Sequence, residues 1–285
     1  ISNHQKYAEF IEKYGNKVNS TTISSGSDGL TDISSNEAVD TVVIAIVGFT
    51  CLNPVIDAIN NNKTIIIANK EILVSAGDMI MKILEKSKAT ILPIDSEHNA
   101  LLQVILCSGL EYKVNEKNYY KSKINNLTIT ASGGPFIDVD VSDFSQIKSK
   151  DAIKHPTWSM GKKISVDSST MMNKGLEIIE AKILFDLDLS NINAIIHRQS
   201  KIHALVQFFD GTTIAHMSKP DMKIPISYAL TFPTRLYKNL SNSIALENLT
   251  FEDIPLSKFP CYKLAREVAK IGKNSGLILN AANEI

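Results

Sequence analysis

Short apolar runs recur at regular intervals in the first third of the chain. They are Thr41 to Val47, Lys63 to Ala68 and Thr90 to Ile94. Continuous runs of this kind are typical of strands that are buried on both faces of a parallel sheet. The intervening segments predict helices, one with Asn53 as cap and Pro54 as first residue, and the other from about Glu71 to Lys86. The pattern therefore predicts a βαβαβ unit with right-handed crossovers.

The pattern changes beyond this unit. Residues Tyr112 to Asn126 are polar and lysine-rich, which predicts an exposed connection, and Leu127 to Ala131 predicts a further strand. Between Ala204 and Met217, apolar and polar residues alternate around an Asp-Gly pair, which predicts an antiparallel hairpin with one covered face. From Pro233 to Pro260 the chain is loop-like, as in a linker, and a helix restarts at Cys261. Together these patterns predict an α/β fold with an additional antiparallel layer.

The stretch from Lys154 to Glu180 has the highest density of polar residues that could take part in binding or catalysis. An apolar stripe at three-to-four spacing follows Ser168 and Ser169, so the serine pair predicts the N-cap of a helix that ends near Phe185. Hydroxyl groups and free N–H groups at the start of such a helix would suit a phosphate group. The serine pair is therefore a candidate phosphate contact as well as a cap.

Three polar residues of this predicted helix lie close together on its surface. Asn173 and Glu177 are four residues apart and share one face, and Lys174 lies about 100° round from Asn173. An amide, an ammonium group and a carboxylate could therefore converge from one helical turn. The alternative is an ordinary solvated helix face, and spacing alone leaves both interpretations open.

A short basic loop precedes this helix. It contains His155, Pro156, Trp158 and Met160, and lysines flank it on both sides. A single loop tryptophan is often a packing anchor, and that interpretation stays open. Next to a phosphate-binding helix start, a movable apolar cover with a histidine beneath it is the competing hypothesis.

Carboxylates follow the third apolar run. Ligands of open parallel sheets bind beyond the carboxyl ends of the strands, where Asp95, Ser96 and Glu97 are expected. An Asp-x-Glu pair at this position can chelate a hard divalent ion, and Glu177 offers a third oxygen ligand. The alternative is a plain cap for a helix predicted from about His98 to Ser108.

Glycines follow the fourth predicted strand, in the segment Ser132 to Pro135. Paired glycines after a strand permit a hinge or a close approach of the backbone, and the serine could contact a phosphate. The segment could equally be a simple turn. A strand followed by the GxGxxG fingerprint of dinucleotide-binding domains does not precede the predicted sheet.

Composition narrows the function classes. The 285 residues are 44% hydrophobic, and 30 basic residues balance 30 acidic ones, which gives no support for general binding to nucleic acid or to a membrane surface. Cys51, Cys107 and Cys261 are widely spaced, show no metal-ligand pattern and favour a reducing compartment. The first residues resemble neither a signal peptide nor a transit peptide.

Five motifs carry a resemblance to a known family. They are NKE at 69–71, DSEHNA at 95–100, SGGPF at 132–136, HPTWSMGKKISVDSSTMMNKGLE at 155–177 and NAANEI at 280–285. In this order and composition they resemble the 1-deoxy-D-xylulose 5-phosphate reductoisomerase family of the non-mevalonate isoprenoid pathway. The resemblance runs through essentially the whole chain, and its central motif is highly specific.

The resemblance implies a role for particular side chains. Asp95, Glu97 and Glu177 are expected to hold one Mg²⁺ or Mn²⁺ ion, and Lys174, Glu97 and His155 to be catalytic. The expected substrate contacts are Ser96, Ser132, His155, Trp158, Ser168, Asn173 and Lys174, with Trp158 and Met160 in a flap that closes over the substrate. The expected NADPH contacts are Ala45, Asn69, Glu71 and Met160.

The resemblance also implies a domain organisation. Residues 1–95 are expected to form a partial Rossmann-like NADPH-binding domain without its first strand and glycine-rich turn. Residues 96–230 are expected to form an α+β catalytic domain with a flap at 132–162. A linker at 231–257 and the start of a C-terminal helical domain at 258–285 complete the expectation.

The activity that the resemblance implies is conversion of 1-deoxy-D-xylulose 5-phosphate to 2-C-methyl-D-erythritol 4-phosphate, with NADPH as reductant. The expected partner is a small sugar phosphate, and the expected assembly is a homodimer without nucleic acid or membrane. The compartment would be the cytoplasm in a bacterium or a plastid-type organelle in a eukaryote. Two alternatives stay open: another metal-dependent sugar-phosphate aldolase or dehydrogenase, and an inactive truncated fragment.

Overall fold

The computed structural model describes residues 3–17, 21–154, 161–236, 244 and 248–285. Its helices are α1 (His4–Tyr14), α2 (Gly26–Ser35), α3 (Leu52–Asn60), α4 (Lys70–Leu84), α5 (Ser96–Cys107), α6 (Ser149–Ala152), α7 (Lys162–Ser169), α8 (Met172–Phe185), α9 (Lys223–Thr231), α10 (Pro260–Ile271) and α11 (Ser275–Glu284). Its strands are β1 (Thr41–Ile44), β2 (Thr64–Ile67), β3 (Thr90–Pro93), β4 (Ile124–Ala131), β5 (Ile192–Ile196), β6 (Ile202–Phe208), β7 (Thr213–Met217) and β8 (Glu252–Asp253). None of the described helices is both long and apolar enough to cross a membrane.

The first sheet contains β1, β2 and β3 in that order, and all three strands are parallel. Ile65, Ile66 and Ile91 are fully buried, as expected for strands that are covered on both faces. Helices α3 and α4 connect the strands, so the predicted βαβαβ unit is confirmed. The predicted start of α3 is wrong by a few residues, because a short 3₁₀ turn at Phe49–Cys51 leads into the helix before Asn53.

The second sheet is mixed, with the strand order β7, β6, β4, β5, β8. Strand β4 runs parallel to β5 and antiparallel to β6, and β6 and β7 form the predicted hairpin. The stretch that was predicted to be loop-like contains the short strand β8, which pairs with β5. It also buries Ile254 and Phe259. Isolated apolar residues of this kind pack individually and leave no periodic signal in the sequence.

The prediction of an exposed connection from Tyr112 to Asn126 is wrong. Tyr120 is 1% exposed and packs edge-on against Phe185, with 6.0 Å between the ring centroids. The Tyr112 hydroxyl donates a hydrogen bond to the backbone oxygen of Ile91, 2.8 Å away. The segment buries its aromatic rings while its lysines face solvent. A prediction from its lysine content alone therefore overlooks the burial of the tyrosines.

The helix that is predicted to begin at the serine pair begins instead at Met172, as α8, and a separate helix that the sequence did not predict, α7, precedes it. Ser168 and Ser169 end α7, so the prediction that they cap the next helix is wrong. Met171 interrupts the helix with a φ of 60°, a left-handed conformation that is rare for residues other than glycine. Met171 is 2% exposed, so packing holds it in this conformation. The predicted end of the helix at Phe185 is confirmed.

Helix α8 lies between α4 and α10, and small residues permit close contact on both sides. A Cβ atom on Gly77 of α4 would lie 2.6 Å from Ile183 of α8. A Cβ atom on Gly175 of α8 would overlap the side chain of Ala265 of α10. These contacts fix α8 against its neighbours and direct its first turns toward the carboxyl ends of β3 and β4.

Candidate active site

Three carboxylates converge where the two sheets meet. Asp95 follows β3, Glu97 lies in the first turn of α5, and Glu177 comes from α8. One oxygen atom of each lies within 4.8 Å of the others. The Asp95 side chain makes no capping hydrogen bond to α5, which removes the plain-cap alternative for that residue. Sequence reasoning therefore placed these three side chains together correctly.

Two buried ammonium groups hold the carboxylates. Lys174 Nζ lies 2.6 Å from Glu97 Oε1 and 2.5 Å from the backbone oxygen of Thr130, and it also forms an ion pair with Glu177. Lys70 Nζ forms an ion pair with Asp95 and lies 3.2 Å from Glu177 Oε1. Both lysines are less than 10% exposed. We call the three carboxylates and these two lysines the acidic half of the site.

Burial and neighbouring charges shift the pKa values of this cluster in opposite directions. Burial alone would raise the pKa of Glu97, but the Lys174 ammonium group and the Ser96 hydroxyl outweigh it and lower the pKa to about 2. Burial, together with the charge of Glu97, raises the pKa of Glu177 to about 7 despite both lysines. Burial opposes the charged form of Lys174, but Glu177 and Glu97 raise its pKa above the ordinary value.

The donor set fits a hard divalent cation. Three carboxylates face two ammonium groups, so the carboxylates are in excess, and the charge of Glu97 adds to burial in raising the pKa of Glu177. A divalent cation would neutralise this excess through carboxylate oxygens, the ligands that Mg²⁺ and Mn²⁺ prefer. Asp95, Glu97 and Glu177 are the residues that would hold it.

A second group of side chains lies beside the acidic half. Ser132 follows β4, and its turn continues through Gly133 and Gly134, whose φ values are 91° and 68°. A Cβ atom on Gly134 would lie only 2.6 Å from the backbone oxygen of Ser168. The turn therefore approaches the end of α7 so closely that only glycine fits. We call Ser132, Gly134 and Ser168 the hydroxyl half of the site.

Asn173 and Ser96 belong with the acidic half. The Asn173 amide nitrogen donates to Glu177 Oε1 at 2.5 Å, and its oxygen accepts from Lys70 at 2.9 Å. The Ser96 hydroxyl donates to Glu97 Oε2 at 2.6 Å. The predicted convergence of Asn173, Lys174 and Glu177 from one turn is therefore present.

The residues expected to contact NADPH are divided between structural and exposed positions. Asn69 is 3% exposed; its side chain caps α4 and donates to the backbone oxygens of Ile46 and Gly48 at 2.6 and 2.7 Å. The Glu71 carboxylate oxygen Oε1 lies 3.5 Å from Lys163 Nζ, so the two side chains form an ion pair. Ala45 is exposed just after β1. The role of Asn69 in the structure is to hold the loop after β1 against α4.

Three of the predicted site residues, His155, Trp158 and Met160, lie outside the described residues. Sequence reasoning assigned no role to Lys70, to the Thr130 backbone oxygen or to the buried pair His98 and Glu180. Lys70 is the first residue of α4, three residues after the end of β2, in the NKE motif, and Glu180 lies one helical turn beyond Glu177. Position relative to a strand end or a known ligand could therefore have indicated both residues.

Comparisons with known proteins cover most of the chain. The family described as 1-deoxy-D-xylulose 5-phosphate reductoisomerase matches residues 1–77, and descriptions of its C-terminal domains match residues 91–185 and 217–285. A relative of that name from Psychrobacter cryohalolentis is 43% identical over 283 residues, with 97% of this chain and 69% of the relative covered. One from Clostridium perfringens is 41% identical, with 100% of this chain and 72% of the relative covered.

The chain belongs to the 1-deoxy-D-xylulose 5-phosphate reductoisomerase family.

Solved structures agree with this membership. A crystal structure of DOX-P reductoisomerase in complex with NADPH, fosmidomycin and magnesium has a TM-score of 0.90 at 44% identity and covers 99% of this chain and 69% of that chain. The family enzyme from Zymomonas mobilis in complex with NADPH has a TM-score of 0.88 at 34% identity, covering 100% of this chain and 71% of that chain. The chain spans about two thirds of the length of several relatives, for example 65% of one from Psychrobacter arcticus.

Proposed function

We propose that the chain converts 1-deoxy-D-xylulose 5-phosphate to 2-C-methyl-D-erythritol 4-phosphate with NADPH and a divalent cation. The observation that supports this most directly is the convergence of Asp95, Glu97 and Glu177 with Lys174, in a chain that belongs to the reductoisomerase family. The reaction requires rearrangement of a ketose phosphate skeleton followed by hydride transfer. Negative charge on adjacent oxygens of the substrate must therefore be stabilised. In the acidic half, a bound cation and the Lys174 ammonium group would supply the positive charge for this.

The carboxylates of the acidic half hold the cation in this proposal. When bound, Mg²⁺ or Mn²⁺ supplies Lewis-acid stabilisation of negative charge on the substrate oxygens. Lys174 holds a proton on Nζ, because Glu97 and Glu177 raise its pKa, and it places a second positive charge at the same position. Thr130 and Glu97 orient that ammonium group, so it needs no reorganisation when charge develops.

The hydroxyl half would bind the phosphate group of the substrate. Ser132 and Ser168 lie on segments that Gly134 brings into close contact, so both hydroxyls can face one ligand. Asn173, which bonds to Glu177 and Lys70, would link the phosphate to the acidic half. Binding energy from the phosphate, far from the reacting carbons, would then position the rest of the substrate.

The remaining roles that the resemblance implies are proposals of the same kind. His155, Trp158 and Met160 would form the flap over the substrate, and Ala45, Asn69 and Glu71 would face NADPH. Residues 1–95 would be part of a Rossmann-like domain, 96–230 the catalytic domain, 231–257 a linker and 258–285 part of a helical domain. A homodimer would fit the unpaired edge that β7 presents in the described sheet.

The function is tested by incubating the chain with 1-deoxy-D-xylulose 5-phosphate, NADPH and Mg²⁺, and following NADPH absorbance and product by mass spectrometry. We expect 2-C-methyl-D-erythritol 4-phosphate to form at the rate of NADPH oxidation and to stop forming when a chelator removes the cation. Absence of oxidation, or oxidation without this product, would contradict the proposal. Mn²⁺ in place of Mg²⁺ identifies the preferred ion.

A further inference from the structure

A buried pair, His98 and Glu180, lies behind the proposed metal ligands and has no part in the proposed chemistry. His98 comes three residues after Asp95, and Glu180 comes three residues after Glu177 on α8. His98 is 0% exposed and Glu180 is 1% exposed. Glutamate is almost never buried so completely unless it is paired, so the contacts of this pair define its role.

His98 connects Glu180 to the backbone of a metal ligand. Its Nε2 atom lies 2.9 Å from the backbone oxygen of Glu177, and because a carbonyl oxygen only accepts, Nε2 carries a hydrogen. Its Nδ1 atom lies 3.4 Å from Glu180 Oε2. Among the described residues, neither of these two atoms has a hydrogen-bond partner, and the next carboxylate oxygen near Nδ1 is Asp95 Oδ2, 4.0 Å away. The Glu180 carboxylate therefore packs against Nδ1 as a close polar contact, on the opposite side of the ring from the bond to Glu177.

The connection joins two helices that otherwise pack on different neighbours. Helix α5 packs most closely on β6, whereas α8 packs most closely on α10 and α4. His98 belongs to α5, and it contacts α8 at Glu177 and again one turn later at Glu180. The same two helices supply Glu97 and Glu177, which must meet at one cation. A change in the distance between α5 and α8 would separate these ligands.

We infer that Glu180 is a positioning residue, which holds His98 against the Glu177 backbone and thereby fixes the α5 and α8 ligands relative to each other. This inference rests on the metal site proposed above. Glu180 contacts neither the substrate nor the cation and acts only through His98. Partners of this kind orient ligands and typically contribute a factor of about 10–100 to metal affinity.

Calorimetric titration of Mg²⁺ into the chain tests the inference, with two substitutions at one position. Glu180→Leu keeps the side-chain volume but offers no polar atom to Nδ1, and we expect its Mg²⁺ affinity to fall about 10–100-fold. Glu180→Gln can donate its amide hydrogen to Nδ1, and we expect its affinity to stay within about threefold of the original.

The control is Ile179→Ala, at the neighbouring position on α8. Ile179 belongs to the apolar cluster between α8 and α10, so its truncation lowers stability without touching His98. We expect its Mg²⁺ affinity to be unchanged although its unfolding temperature falls. Thermal unfolding of each variant without Mg²⁺ shows whether it is folded.

The outcomes separate this inference from the proposed metal site. Unchanged Mg²⁺ affinity in folded Glu180→Leu, or a Glu180→Gln variant as weak as Glu180→Leu, would overturn the inference. Two ions per chain would also overturn it, because Asp95, His98 and Glu180 would then bind a cation themselves. An unsubstituted chain that binds no Mg²⁺ would instead contradict the metal site.

A second measurement covers the case in which Glu180→Leu does not fold. Nitrogen-15 NMR of His98 in the unsubstituted chain reports whether Nε2 carries its hydrogen and whether Nδ1 is in polar contact. A protonated Nε2 with a hydrogen-bonded Nδ1 supports the inference, and the signal of an unbonded Nδ1 overturns it.

Discussion

The acidic half and the hydroxyl half of the site are held in place by different forces. In the acidic half, Asp95, Glu97 and Glu177 repel one another and are held by buried ion pairs with Lys70 and Lys174. In the hydroxyl half, the backbone approach of Gly134 to Ser168 brings the segments together. Charge therefore controls the first half and shape controls the second.

This difference has consequences that can be measured separately. Charge interactions depend on pH and on cations, because a proton or a metal ion changes the balance among the buried groups. A steric contact between backbone atoms depends on neither. Substitutions in the two halves should therefore respond differently to pH and Mg²⁺, and the following predictions test that separation.

The largest effect is expected from Glu177→Gln, which removes charge from the acidic half and keeps the side-chain size. Mg²⁺ affinity should fall by more than the factor of about 10–100 that is typical of residues outside the metal's direct ligands. Turnover should be lost for the same reason. Calorimetry measures the affinity, and Glu116→Gln, at an exposed ion pair with Lys113, is the matched control. Unchanged Mg²⁺ affinity in Glu177→Gln would show that Glu177 is not a ligand of the cation.

A pH dependence of stability is the second expected effect. The pKa values of Glu177 and Glu180 are raised from 4.5 to about 7, so the folded chain binds more protons than the unfolded chain between these values. The contribution of these two groups to the stability of the cation-free chain should therefore fall as pH rises from 4.5 to about 7, by about 1.4 kcal/mol per pKa unit for each group. Burial lowers the pKa of His216 to about 4, which contributes with the opposite sign between pH 4 and 6.5, so the effect is measured as the difference that Mg²⁺ makes. The lowered pKa of Glu97 has the opposite sign and acts only below pH 4.5.

Urea unfolding at several pH values, with chelator and with saturating Mg²⁺, measures this dependence. Mg²⁺ should remove the part of the decline that belongs to Glu177, since a cation favours the charged form of that carboxylate. A decline that is the same with and without Mg²⁺ would show that the acidic half is not where the protons bind.

The third effect, in the hydroxyl half, is expected from Gly134→Ala. The substitution forces alanine into a φ of 68° and places its Cβ against the Ser168 oxygen. Left-handed strain costs about 1–2 kcal/mol and overpacking adds about 1–3 kcal/mol. The control, Gly211→Ala, has a φ of 88° and open space around its Cβ, so it bears only the strain. Urea unfolding should show the larger loss for Gly134→Ala, with Mg²⁺ affinity unchanged. A loss equal to that of Gly211→Ala would contradict the close contact.

The smallest effect is expected from Arg198→Ala. Arg198 pairs with Asp138, just beyond the glycine turn, and with Glu252 of β8, and all three side chains are at least 36% exposed. Exposed ion pairs of this kind contribute less than about 1 kcal/mol. Thermal unfolding should therefore shift little, and the shift should shrink in high salt. A loss comparable to that of Gly134→Ala would mean that charge also holds the hydroxyl half.

Sequence reasoning was most successful where one element determines the outcome. The buried strands and the position of Asp95 and Glu97 after β3 follow from a local apolar run and its end. The interruption at Met171 could not be predicted, because packing from distant residues holds an ordinary side chain in a left-handed conformation. The ion pairs of Lys70 depend on three separate elements, so neighbouring residues alone do not reveal them.

Burial of Tyr120 was missed for a related reason. Lysine-rich segments are usually solvated, but Tyr120 reaches Phe185, which is distant in sequence. Phe185 itself lies at the correctly predicted end of α8. The local sequence pattern therefore identifies helices, strands and the residues at strand ends. Which further residues complete the site depends on contacts between elements that are distant in sequence.

The contact between Gly134 and Ser168 closes a long loop in the chain. The exposed turn Val141–Gln146 lies between these two residues, and its length affects the site mainly through the entropy of closing the loop. Each doubling of a flexible loop costs only about 0.6 kcal/mol. Insertions near the exposed turn Val141–Gln146 should therefore be tolerated. That turn can vary in length and sequence while Ser132 and Ser168 keep their positions.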